Sequence, residues 1–134
     1  MSKYFTKREL AALVSLFILF LVDFSFTKIH YLYPQIDILF HFLGGFFIAL
    51  FFIGFFRKAL IAEHTLSKDI ILIVGASLLI GVLWEFFEFS IGLTPPPSVD
   101  YLKDVFKDLA MDMLGAATMF FIVRHRHRKS RMFQ

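Results

Sequence analysis

Four long apolar runs, residues 10–26, 36–56, 70–91 and 104–123, decide most of what this chain can fold into. Crossing about 30 Å of hydrocarbon takes about 20 helical residues, and each run is near that length. None alternates apolar and polar residues as a lipid-spanning strand does. A helix instead satisfies its backbone hydrogen bonds within itself, as lipid requires. The sequence therefore predicts an all-α, polytopic membrane protein: a four-helix transmembrane bundle forming a single integral membrane domain over residues 1–134. Composition agrees. The chain is 58% hydrophobic with 20 Phe and a mean hydropathy of +0.72, against roughly 45–50% apolar residues in a soluble domain. It has no Cys, which excludes disulfides and thiolate metal sites.

The segments between the runs fit this reading. Lys3, Lys7 and Arg8 precede the first run as in a signal peptide. The run is long, however, and Thr27-Lys28-Ile29-His30 follows it where a small-x-small cleavage site would stand, so it reads as an uncleaved span. Tyr31, Tyr33 and Pro34 suit an interfacial turn. Residues 57–68 form a polar connector, and Pro95-Pro96-Pro97 a stiff extended link.

Orientation follows from the cations. Lys3, Lys7, Arg8, Arg57, Lys58, Lys68, Arg124, Arg126, Arg128, Lys129 and Arg131 fall on one side of a four-span topology, and only Lys28, Lys103 and Lys107 on the other. The positive-inside rule then puts both termini in the cytoplasm of a cell (plasma or inner) membrane. Residues 124–134 form a basic cytoplasmic tail. It reads as a stop-transfer anchor on anionic lipid headgroups, not as a nucleic-acid site. Lipids are the expected partners, and so slim a bundle is compatible with a homo-oligomer.

The acids go the other way. Glu9, Glu63 and Asp69 share the cytoplasmic side, while Asp23, Asp37, Glu85, Glu88, Asp100, Asp104, Asp108 and Asp112 fall in the outer half or outer loops. Several lie at helical spacing: Asp37 with His41, Glu85 with Glu88, and Asp104, Asp108 and Asp112 in steps of four. Residues three or four apart share a helix face. Asp37 and Asp104 sit near expected helix starts, where an acid also serves as a cap. Gly44, Gly45, Gly81 and Gly115 lie next to these acids on the cytoplasmic side, and small residues let membrane helices approach closely. Three helices are thus expected to present acids at one depth above a glycine waist, with Asp23 near enough to join.

An ionised acid at mid-membrane costs roughly 2.5–3.5 kcal/mol even on the lenient insertion scale. Lys103 and Lys107, placed in the loop or first turn, are not expected to neutralise a cluster of four. The acids must be protonated, line water or hold a cation. Carboxylates with one imidazole suit a divalent metal ion, Mg²⁺, Mn²⁺, Fe²⁺ or Zn²⁺. The expected metal residues are Asp37, His41, Glu85, Glu88, Asp108 and Asp112, with Asp37 orienting His41 and one Glu available as a general base.

The segments Asp37-Ile38-Leu39-Phe40-His41-Phe42-Leu43-Gly44-Gly45, Trp84-Glu85-Phe86-Phe87-Glu88 and Asp108-Leu109-Ala110-Met111-Asp112-Met113-Leu114-Gly115 resemble the YjdF-type inner-membrane family. The Asp-x-x-x-His-Phe stretch is more distantly similar to VanZ-like proteins. The resemblance covers about two thirds of the chain. It implies an inner-membrane protein with an acidic signature and supplies no reaction.

Three functions fit this pattern. The leading one is metal-dependent hydrolase or transferase chemistry on a lipid or lipid-linked phosphate at the outer membrane level. A cation or proton transporter would use the same acids as a relay, but the cytoplasmic half of the spans offers little polarity beyond Ser15, Ser77 and Thr118. A non-catalytic scaffold would use the glycines and acids for oligomer contacts. Neither a phosphate-binding glycine loop nor a dinucleotide fingerprint is present.

Overall fold

The computed structural model describes residues 6–25, 34–56, 65–92 and 99–131, and every regular element among them is an α-helix. These are α1 (Lys7–Ser25), α2 (Pro34–Phe55), α3 (Leu66–Ser90) and α4 (Val99–Arg131). The turn expected at Tyr31 and Tyr33, the first part of the 57–68 connector and the triple-proline link lie outside the described residues.

Local chemistry sets the helix starts. α2 opens on Pro34, whose fixed φ suits the first helical position, where its missing N–H goes unused. Asp37 follows in the first turn, where the helix dipole favours an acid. Before α1, the Thr6 N–H donates to Glu9 Oε2 at 2.6 Å, the returning half of a capping box. Glu9 is also buried, against Gly54 of α2. Glu9→Ala should therefore cost about 1 kcal/mol, the usual worth of a helix cap. Denaturation in detergent would read it as a lower midpoint, and an unchanged midpoint would deny Glu9 a capping role.

Two boundaries depart from expectation. α4 starts at Val99, so Asp100 holds the first turn and Asp104 lies beyond any capping position. At its other end α4 runs on through the basic segment to Arg131, with no proline to interrupt it.

α2 is the hub: it packs against all three other helices, most extensively against α4. Helix directions follow from the residues that meet. Glu9 of α1 lies against Gly54, while Asp23 and Asp37 line one cavity at the other end, so α1 and α2 are antiparallel. Gly45 meets Asp112 and Phe42 meets Gly115, and Ala49 shares a core with Ala116 and Phe120, so α2 and α4 run parallel. Ile73 joins that core and Glu85 approaches His41, so α3 opposes both.

The α2–α4 crossing is a backbone contact. A Cβ at Gly45 would fall on the Asp112 carbonyl, and one at Gly115 on the Phe42 carbonyl. Glycine is what allows so close an approach. Beneath this waist lies an apolar cluster of Ala49, Ile73, Ala116, Met119 and Phe120.

Burial is inverted relative to a protein folded in water. Among the described residues the buried side chains include Glu9, Asp23, His41, Asp69, Glu85, Glu88, Asp108 and Asp112. Leu10, Phe17, Ile71, Leu79, Phe86 and Phe106 are each more than half exposed. Water penalises so extensive an apolar exterior; hydrocarbon does not. α2 from Gln35 to Phe55 and α3 from Leu66 to Ser90 are long and apolar enough to cross a membrane. α1 and α4 carry more charge along their length.

Candidate functional site

His41 is the centre of the polar interior. It lies two turns into α2, 6% exposed, facing α3 and α4. Its Nδ1 is 3.3 Å from Asp112 Oδ2, within hydrogen-bonding distance. Its Nε2 faces Asp37 Oδ1 at 3.7 Å and Glu85 Oε1 at 3.6 Å. Three helices thus converge on one imidazole, because their acids sit on faces turned towards the waist.

Asp112 hydrogen-bonds His41 Nδ1, while Asp37, the partner the sequence spacing implies, lies at Nε2. Asp112 is itself well placed for this. It is 3% exposed and packed on Gly81, and its backbone carbonyl accepts a bond from Ser77 Oγ at 3.4 Å. Ser77 is fully buried. In sequence it is a lone serine in an apolar run, and only the neighbouring glycines hint that a helix comes close there.

Asp37, His41 and Asp108 each offer one ligand atom, and these atoms lie within 4.8 Å of one another. Asp108 is 3% exposed. Its Oδ1 accepts no hydrogen bond and lies 3.4 Å from Lys107 Nζ. Lys107 also pairs with Asp104. The sequence had placed Lys107 too near the membrane surface to matter. With α4 starting at Val99, it stands more than two turns in and reaches the cluster edge. One lysine shared between Asp104 and Asp108 cannot balance Asp37, Glu85 and Asp112 as well. Glu85 Oε1 is likewise buried without a hydrogen bond.

Asp37, His41, Glu85, Asp108 and Asp112 therefore come together. Glu88, one turn beyond Glu85, is also buried, and Asp23 is among the charges near it. Asp23 in turn lines a cavity of about 300 Å³ whose wall includes Asp37, His41 and Asp112. Carboxylate oxygens and one imidazole are the donor set of a hard to borderline divalent cation. Glu85 Oε1 and Asp108 Oδ1 are buried without hydrogen bonds, with His41 Nε2 and Lys107 Nζ 3.6 and 3.4 Å away; a bound ion is one explanation of such atoms.

A helical bundle with an apolar exterior and a buried acid–histidine group defines a membrane protein class, not a reaction. The chain belongs to the family described as predicted membrane protein (DUF2238), which it matches over residues 3–129. No match is found among curated proteins or among solved structures.

Proposed function

We propose that the chain is a four-span membrane protein, both termini cytoplasmic, whose acid–histidine group binds a divalent cation for hydrolase or transferase chemistry on a lipid phosphate. The carrying observation is the meeting of Asp37, His41 and Asp108 within 4.8 Å; Asp108 Oδ1 accepts no hydrogen bond, and the Lys107 ammonium beside it is shared with Asp104. His41 Nε2, Asp37 and Asp108 are the ligands in this reading, and Glu85 lies near enough to complete the set or act as general base. Asp112 holds the imidazole by its other nitrogen, the outer-shell arrangement common to metal-bound histidines. A cation at this place would hold a phosphate oxygen and acidify a bound water.

The topology rests on the cation count, which puts the start of α1 and the basic end of α4 in the cytoplasm. The tail then lies against anionic headgroups. Single cysteines introduced into the Cys-free chain test this directly. Cysteines beside Lys7 and Arg124 should react with a membrane-impermeant maleimide only after lysis. Labelling of either in intact cells would reverse or break the topology.

Transport is less well supported, because the cluster of Ala49, Ile73, Met119 and Phe120 closes the path below the site. The functional test uses protein in phosphatidylcholine liposomes with a long-chain alkyl phosphate and Mg²⁺ or Mn²⁺. Release of inorganic phosphate by the native protein, lost in Asp108→Asn, is expected. Cation flux without phosphate release would replace the hydrolase reading with transport.

A further inference from the structure

The cavity beside the acid–histidine group is polar at one end only. Asp23, Asp37 and His41 stand on its wall towards one end, with Phe20, Phe40 and Trp84 beside them, and Asp112 reaches His41 from beside Gly81. Leu16, Leu19, Ile48 and Ile80 line the rest. Along α2 the lining runs from Asp37 to Ile48, about 16 Å at 1.5 Å per residue. Along α1 it runs from Asp23 back to Leu16. Polar end and apolar end are therefore separated along the bundle axis, as the head and chain of a lipid are in a leaflet.

Gly44 and Gly81 line the cavity and seat the Asp112 carboxylate in its wall. The space stays open because α1 packs chiefly on α2 and makes only sparse contact with α3, which leaves a seam between α1 and α3. At the polar end the seam is crossed by Phe20, set edge-on to Trp84 with centroids 5.8 Å apart and tilted to Phe87 at 6.4 Å. Towards mid-membrane, Leu16 and Ile80 flank it with no such ring pair. The volume is at the small end of ligand pockets, which run from about 300 to 1,000 Å³, and suits one hydrocarbon chain.

We infer that this cavity holds a single hydrocarbon chain of a membrane lipid phosphate, entering between α1 and α3, with the phosphate at Asp37 and His41. The choice of a phosphate head rests on the cation-site reading above; the chain slot rests on the cavity. The acids alone would repel a phosphate, so the head binds only with the cation in place.

The test uses a long-chain alkyl phosphate with a diazirine at mid-chain, photolysed with the protein in phosphatidylcholine nanodiscs containing Mn²⁺, followed by peptide mapping. Label should concentrate on Leu16, Leu19, Ile48 and Ile80 and fall several-fold in Ile80→Trp. It should persist in Val82→Trp, which adds the same bulk on an exposed part of α3. The matching alkyl alcohol should label the cavity more weakly. Label spread evenly over exposed residues such as Phe17, Leu79 and Phe86, or unchanged in Ile80→Trp, would overturn the inference. Bound Mn²⁺ measured in the same samples separates the two readings. Metal retained without cavity label removes the chain slot alone, whereas no bound Mn²⁺ removes the cation site.

Discussion

Alanine at Gly45 is expected to break the bundle, while alanine at Gly75 leaves it intact or strengthens it. The two glycines belong to neighbouring helices of the same apolar character, so helix propensity cannot separate them. At Gly45 the added methyl falls on the backbone carbonyl of Asp112, which cannot rotate away as a side chain would. Overpacking costs typically 1–3 kcal/mol and occasionally more, and a backbone collision belongs at the upper end, at about 3 kcal/mol or above. At Gly75 nothing lies within 4 Å, so alanine gains about 0.5–1 kcal/mol of helix preference. Fluorescence of Trp84, the single tryptophan, reports both during denaturation in detergent, because its ring packs between α1 and α3. Equal midpoints for the two variants would mean that α2 and α4 do not cross at the glycines. The same collision between Gly115 and Phe42 predicts that Gly115→Ala behaves like Gly45→Ala.

The second large effect is a reversal of sign at Asp108. In the proposed four-span topology Asp108 lies within the membrane, where an ionised acid costs roughly 2.5–3.5 kcal/mol, so without metal Asp108→Asn should be more stable than the native protein by about 1–2 kcal/mol. With a divalent cation at about 100 times its Kd, the native protein gains about 2.7 kcal/mol and the variant gains nothing. The order of the two midpoints therefore inverts on adding metal. Asp112→Asn should behave differently. It disturbs the bond to His41 Nδ1, so metal affinity falls by about 10–100-fold, the usual range for an outer-shell partner, instead of vanishing. If Asp108→Asn and Asp112→Asn respond alike to metal, the division between ligand and orienting residue is wrong.

Some of this was legible in the sequence. Fourfold spacing is enough to put Asp108 and Asp112 on one face, and Asp37 with His41 on another, because helix geometry fixes both. Glycines next to the acids announced the close crossing of α2 and α4. Which acid would meet which nitrogen of His41 was not legible, because that depends on the rotation of α4 against α2, and spacing within one helix carries no information about it. Between Leu10 and Val22 the only polar residue of α1 is Ser15, so its buried face could not be read from periodicity; Ala12 and Glu9 mark it only once Gly54 is seen opposite. An apolar run that begins at Asp104 puts Lys107 in the first turn. Five further residues of helix at Val99–Lys103 move it from the first turn to the edge of the site.

The central claim is that Asp37, His41 and Asp108 hold a divalent cation, and metal content tests it most directly. Protein purified without a His tag in mild detergent is dialysed against Mg²⁺, Mn²⁺ and Zn²⁺ in turn, beside Asp108→Asn, and measured by mass spectrometry. About one equivalent of bound metal in the native protein, absent from a variant that still unfolds cooperatively, is the predicted result for a site of this ligand number. No metal in either protein under any of the three ions would contradict it and leave the acids as protonated or structural groups.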